Sequence, residues 1–206
     1  MKYPVSPNEE LDKYLRTNYA LTFDNPFSLF KDTYTDKKDS IFDMHYVLEL
    51  GVVVEGSMQR HYPGYNVKLG PGEVWLCNVW EPHGFILNET PCKAYAFIVS
   101  PEFLSQKDQP NFNWLNMFTL PPEKRPKIDT PFKLTEMMRI VNRLAQLDNF
   151  TEIIKKRWIE HIFFEILLIL QGNSILKVVN ENNNGLYSFQ RVSPSIQLVF
   201  NSKRNI

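Results

Sequence analysis

In the stretch DMHYVLELGVVVEGS, residues 43–57, the imidazole of His45 and the carboxylate of Glu49 stand four residues apart in an otherwise apolar run, with Asp43 just before them. On an extended strand, residues two and four apart project from one face, so the three side chains converge on one side of a sheet. A carboxylate among Val and Leu needs partners, because burying an unpaired charge is costly. A second imidazole, His83, follows Gly72 by eleven residues in LGPGEVWLCNVWEPHGFIL. Two imidazoles with one or two carboxylates suit Mn, Fe, Ni or Zn. The alternative is that His45 and Glu49 hydrogen-bond each other or a polar ligand.

Other residues add recognition chemistry rather than catalysis. Trp75 and Trp80 offer aromatic faces that suit the C–H surface of a sugar ring, and Phe85 shares a face with His83. Arg60 suits a carboxylate or sugar hydroxyls if buried. As a strand charge it is expected in solvent, since Arg is seldom buried unpaired. His161 and Glu165, four apart, read as a helix surface pair.

The elements that must position these groups are short alternating runs separated by turn signals. FDMHYVLELGVVV, SMQRHY, YNVKL, EVWLCNV, HGFIL and AYAFIV read as separate strands, divided by Pro63-Gly64, Gly70-Pro71-Gly72, Trp80-Glu81-Pro82 and Pro91. Such spacing predicts a β-sandwich or small barrel. Residues 1–40 read as an N-terminal arm with one or two edge strands, 41–105 as the β core and 106–130 as a Pro-rich connection. The period then becomes helical. Thr130-Pro131 is a cap followed by Pro at the first position, and Leu134, Met137, Met138, Val141, Leu144 and Leu147 follow at helical spacing. A second helix starts at Asn149 or Thr151 and runs to Gln171, with Gly172 as its stop. This helix is apolar round most of its circumference, which calls for a second surface to bury against. Ile154, Trp158, Ile162 and Ile169 are the expected dimer seam within a helical hairpin over 131–180, and 181–206 reads as a linker.

The spacing of His45, Glu49 and Gly56, followed by Gly72 and His83, resembles the two cupin motifs. Asp43 stands where the first motif has an earlier histidine. Asn78 and Trp80 replace the usual Pro and Gly of the second, and Leu87 its terminal Asn. The resemblance implies a mainly β fold, a cupin-like double-stranded β-helix or jelly-roll barrel, followed by a C-terminal antiparallel α-helical hairpin. A metal site would draw on Asp43, His45, Glu49 and His83. It also implies that Ala94, Ala96 and Ile98 face inward and leave room for a ligand, with Tyr95 and Phe97 packed outward under the helices. The order of PGEVWLCNVWEPHGF, AYAFIVSPEFL, a Pro-rich connection, two helices and RVSPSIQLVFNSKRNI is similar to the N-terminal domain of AraC/XylS-type transcription regulators. That resemblance implies a sensing and dimerisation domain with no catalytic turnover. A small polar effector, expected to be a sugar or oligosaccharide, would contact His45, Glu49, His83, Arg60, Trp75, Trp80, Phe85 and Ala96. DNA would be bound only through a helix-turn-helix domain absent from this chain. The competing reading is a metal-dependent cupin enzyme, an isomerase or dioxygenase.

Composition narrows the classes further. Of 206 residues 43% are hydrophobic and 14% aromatic, enough for a real core, and the formal charge is zero, so no basic field favours nucleic acid. Two cysteines make no disulfide framework, and Cys77 and Cys92 read as free thiols of a reducing cytosol. The N-terminus lacks the apolar core of a signal peptide, and Ile162–Leu170 is too short to span a bilayer. A cytoplasmic protein without resident cofactor, apart from the divalent metal of the alternative, is the expectation.

Overall fold

The computed structural model describes residues 15–36, 42–108 and 112–172, so the expected linker over 181–206 lies outside the described residues. Among the described residues seven strands are formed: β1 (Leu15–Arg16), β2 (Phe27–Tyr34), β3 (Asp43–Met44), β4 (Leu48–Tyr62), β5 (Tyr65–Leu69), β6 (Val74–Cys77) and β7 (Gly84–Val99). β2, β7, β4 and β5 make one antiparallel sheet in that order, and β6 pairs with the first half of β4. β1 and β3 form a short parallel pair beside it. The mainly β, antiparallel architecture expected from the turn spacing is present, and an edge strand of the expected arm, β2, belongs to the main sheet.

Two runs expected as separate strands are continuous. LELGVVV, the second part of the first run, joins SMQRHY in β4, fifteen residues long, while Asp43–Met44 of that run form β3; GFIL joins AYAFIV in β7, sixteen residues long. The breaks became bulges instead. The β4–β7 register shifts between Val53 and Met58, and Gly56 sits there at φ 73°, where a Cβ would strike the Pro91 carbonyl and only glycine fits. Pro91 lies opposite this irregularity, between the Ser57–Glu89 and Glu55–Lys93 pairs, where no ladder N–H is needed. The bends let both halves of β4 serve one core.

That core has two sides. On one, Val53, Met58, Tyr62, Trp75, Cys77, Leu87, Cys92, Ala94 and Ala96 pack together, so Ala94 and Ala96 face inward as expected. On the other, Leu48, Leu50, Val52 and Phe97 meet the helices, with Phe97 against Phe163, and Tyr95 packs beside them.

Among the described residues four α-helices follow: α1 (Pro101–Ser105), α2 (Asn116–Thr119), α3 (Pro131–Ala145) and α4 (Glu152–Gln171). Thr130 caps α3 by accepting from the Lys133 N–H, with Pro131 at the first turn. α3 and α4 pack side by side, with Arg143 bonded to Glu165 and Lys133 beside Gly172. His161 lies 4.0 Å from the same Glu165, an exposed pair. Among the described residues no helix is long and apolar enough to cross a membrane.

One seam residue is corrected. Ile162 is fully buried in the chain's own core, so a second copy has nothing of it to cover, and Ile169 is packed against the same core. Ile154 and Trp158 stay partly exposed, beside Ile153 and Phe150.

Arg125 anchors the described end of the connection over 106–130. Arg125, 7% exposed, forks onto Glu81 at 2.7 and 2.8 Å and also donates to the Leu76 carbonyl. Arg125→Met removes the cation that faces Glu81, although Glu81 keeps the Asn78 N–H and the Leu76 carbonyl keeps the Tyr62 hydroxyl, and is expected to cost about 1–3 kcal/mol. Urea unfolding of the variant measures this, and a cost below about 0.5 kcal/mol would mean the fork contributes only a surface pair.

Candidate functional site

Asp43 and His83 are locked together by a reciprocal backbone pair, Asp43 N–H to the His83 carbonyl at 2.9 Å and His83 N–H to the Asp43 carbonyl at 3.0 Å. His45 lies in the bend between β3 and β4 rather than within a strand. The expected strand spacing is therefore not what joins it to Glu49. The bend turns the imidazole back over the first inward position of β4, and the Trp80 N–H fixes it by donating to the His45 carbonyl at 2.7 Å.

The four expected donors converge. His45 Nε2 is 3.2 Å from Glu49 Oε2, and His83 Nε2 is 3.3 Å from both Glu49 Oε2 and Asp43 Oδ1. His45, Glu49 and His83 are buried, while the Asp43 side chain is a quarter exposed at the rim. Each imidazole places Nδ1 on a main-chain carbonyl, His45 on Val47 at 3.1 Å and His83 on Glu81 at 2.8 Å. A carbonyl only accepts, so both Nδ1 atoms carry protons and the Nε2 atoms are left facing carboxylates. Two lone pairs aimed at oxygen anions repel. The arrangement needs positive charge there, either protons on Nε2 or a cation, for which the donor atoms of Asp43, His45 and His83, or of Glu49, Cys77 and His83, lie within 4.8 Å of one another. Backbone carbonyls orienting Nδ1 are also the usual support of a metal-binding imidazole.

Glu49 is the hub. Its Oε1 accepts from the Trp75 indole N–H and from Arg60 Nη2 at 3.2 Å. Burial pushes this carboxyl up, but the charge of His83, hydrogen bonds from both imidazoles and the Arg60 charge hold it well below the usual range. Burial pulls the His83 imidazole down, and this is outweighed by the Cys77 sulfur and the Glu49 carboxylate, which raise it well above its ordinary value.

Arg60 is 4% exposed, which overturns its expected place in solvent. Pairing with Glu49 makes the burial tolerable, and the guanidinium lies over the rings of Trp75, at 4.6 Å, and Phe85, at 5.7 Å.

Neither tryptophan offers the open face expected for a sugar. Trp75 is 5% exposed and its ring fills the space above Gly51, beside Ala96. That indole takes up room that the small inward residues were expected to leave. Trp80 turns away from the donors and packs on Tyr46 at the helix side. It holds φ 53°, a left-handed conformation that favours glycine, at the position where the cupin motif has one.

Three contributors were not signalled by spacing. Thr17 donates to Asp43 Oδ2 at 3.0 Å, the Tyr19 ring stands edge-on to His45 at 5.1 Å, and the Cys77 sulfur is 3.5 Å from Arg60 Nη2. Glu49 and Cys77 are direct cross-strand neighbours, a relation that only the β4–β6 register creates.

No protein-family model and no curated protein matches the chain. Solved structures are similar over part of it. A cupin superfamily protein from Desulfitobacterium hafniense is 12% identical, over 40% of this chain and 74% of its own, with a TM-score of 0.35. KdgF from Halomonas sp. is 18% identical over 39% of this chain and 73% of its own, TM-score 0.35. An HTH_3 family transcriptional regulator from Vibrio cholerae is 21% identical over 40% of this chain, TM-score 0.36, and the chain spans 48% of that protein's length.

Proposed function

We propose that this chain is a cupin-like sensing module, the effector-binding part of an AraC-type transcription regulator, built round a divalent-cation centre at Asp43, His45, Glu49 and His83. The observation that carries the reading is the aim of the two Nε2 atoms at carboxylate oxygens while both Nδ1 atoms are held by carbonyls. Asp43, His45 and His83 bring their donor atoms within 4.8 Å of one another, and two neutral imidazoles with a carboxylate suit Zn, Mn, Fe or Ni, so these residues fit a metal with Glu49 beside them. Bound there, the ion would offer a Lewis-acidic coordination point to an oxygen of a small polar effector. The protein's own part is to hold Glu49 ionised through Arg60 and Trp75, to orient both rings, and to cover the centre with Tyr19.

The reading includes a homodimer that covers Ile154 and Trp158, and a DNA-binding partner domain outside this chain. It leaves the carbohydrate effector without its aromatic platforms, because Trp75 is buried and Trp80 faces the helices. The rival is a metal-dependent cupin enzyme using the same four donors.

Elemental analysis after dialysis against Zn, Mn or Ni tests the centre. About one ion per chain is expected, falling several-fold in His83→Gln and in His45→Gln. A chain that retains no ion overturns the cation centre. A small molecule that stabilises the protein and is recovered unchanged supports sensing, whereas its conversion would make the chain an enzyme.

A further inference from the structure

The Arg60 guanidinium is buried and only partly used. Nη2 donates to Glu49 Oε1 and to the Cys77 sulfur, while Nε is buried with no hydrogen-bond partner among the described residues. A buried charged donor without an acceptor costs free energy, and a bound acceptor would recover it. Glu49 does not need this edge, since its Oε1 already takes the Trp75 indole and its Oε2 faces both imidazoles.

The surroundings indicate what would reach that edge. Residues directly paired across two strands project from the same face, so the β2–β7 register puts Phe30 with Ala96, Asp32 with Ala94 and Tyr34 with Cys92 on the inward side. Phe30 is 41% exposed although it faces inward, and Asp32, Tyr34 and Phe85 are half-buried. On that side Phe30 keeps part of its ring in solvent beside Tyr19, and Tyr34 and Phe85 pack against the inner cluster. Phe85 links it to Arg60, lying 5.0 Å from the Tyr34 ring and under the guanidinium. Asp32, bonded to the Tyr34 hydroxyl, adds a carboxylate on the same face. It disfavours a dianion more than a monoanion.

We infer that Arg60 is the anion-reading arm of the site, and that the effector is a small monocarboxylate whose apolar part rests on Phe30, Tyr34 and Phe85. This rests on the sensing reading above and replaces its unspecified polar effector with a chemical class. The cation centre is not required for it. A carboxylate on the Nε–H edge makes charge-assisted bonds that a neutral isostere cannot match.

The test is a titration at constant ionic strength, followed by tryptophan fluorescence, because Trp75 lies against Arg60, and by thermal shift. The probes are acetate, pyruvate and benzoate, their amide counterparts acetamide and benzamide, inorganic phosphate, and glucose as a neutral sugar. At least one carboxylate is expected to saturate, with its amide and phosphate at least about tenfold weaker. Arg60→Lys retains the charge beside Glu49 but lacks the Nε–H edge, and is expected to fold while binding that carboxylate at least about tenfold more weakly. Equal binding of an amide or of glucose, tighter binding of phosphate, unchanged affinity in Arg60→Lys, or no saturable carboxylate each overturns the inference. Metal content is measured on the same samples. Carboxylate binding without metal overturns the cation centre alone, and metal without carboxylate binding overturns this inference alone.

Discussion

Replacing Glu49 by Leu is expected to lower stability by about 3–5 kcal/mol, because it leaves the buried Arg60 guanidinium without its carboxylate. For a chain of 206 residues this corresponds to a fall in Tm of roughly 6–20 °C. The loss exceeds what a single hydrogen bond gives, since the Trp75 N–H and the His45 imidazole lose Glu49 as well, while His83 keeps Asp43. Arg60→Met is expected to cost less, about 1–3 kcal/mol, because Glu49 retains the indole and both imidazoles. The double variant Glu49→Leu with Arg60→Met should recover about half of the Glu49→Leu loss, as no buried charge then stands alone. Urea denaturation of the four proteins closes the cycle. If Glu49→Leu lies within about 1 kcal/mol of the parent, the hub role of Glu49 is wrong.

The pH dependence should reverse between the metal-free and metal-loaded protein. The folded carboxyl of Glu49 is held below its ordinary 4.5, so its contribution is present above that pH and lost as pH falls through the folded value. The folded imidazole of His83 is raised above 6.5, so its contribution is complete below 6.5 and lost as pH rises through the folded value. In EDTA, therefore, stability from the cluster is greatest between 4.5 and 6.5 and declines on the alkaline side. A cation requires both imidazoles deprotonated at Nε2, so its stabilisation grows with pH instead. With Zn at a hundredfold excess over its Kd, the gain is about 2.7 kcal/mol, or roughly 5–11 °C in Tm near pH 8, shrinking towards zero near pH 5.5. Thermal scans across pH with Zn and with EDTA measure both slopes. An equal Zn increment at pH 5.5 and pH 8 would refute ligation through the imidazoles. In His83→Gln both slopes should flatten.

The long strands show how much of the architecture local signals carry. Alternation located the segments of β4 to β7 but placed neither β1 nor β2, and the Thr130-Pro131 cap and the Gly172 stop bounded the two long helices, because capping and periodicity are properties of neighbouring residues. What they missed is continuity. Gly56 and Pro91 look like ends of strands, yet each sits at the same irregularity of a pair of long strands, where a bulge absorbs a positive φ and a missing N–H. Only the partner strand decides between a break and a bulge.

The site divides in the same way. His45, Glu49 and His83 are legible because a motif spaced along the chain preserves donor type and order, and Asp43 because it precedes them on the same segment. Their convergence is set by the Asp43–His83 bridge, which brings residues forty positions apart into one backbone pair. Burial of Arg60 follows from its meeting Glu49, eleven residues away on the same irregular strand, which no local pattern encodes. Trp75, Cys77, Thr17 and Tyr19 enter through strand register and the return of the arm. The amino-acid sequence by itself determined which donors exist and which elements carry them. The tertiary structure alone decided which nitrogen each imidazole presents and which charge Arg60 meets, because hydrogen-bond direction and burial depend on groups distant in the chain.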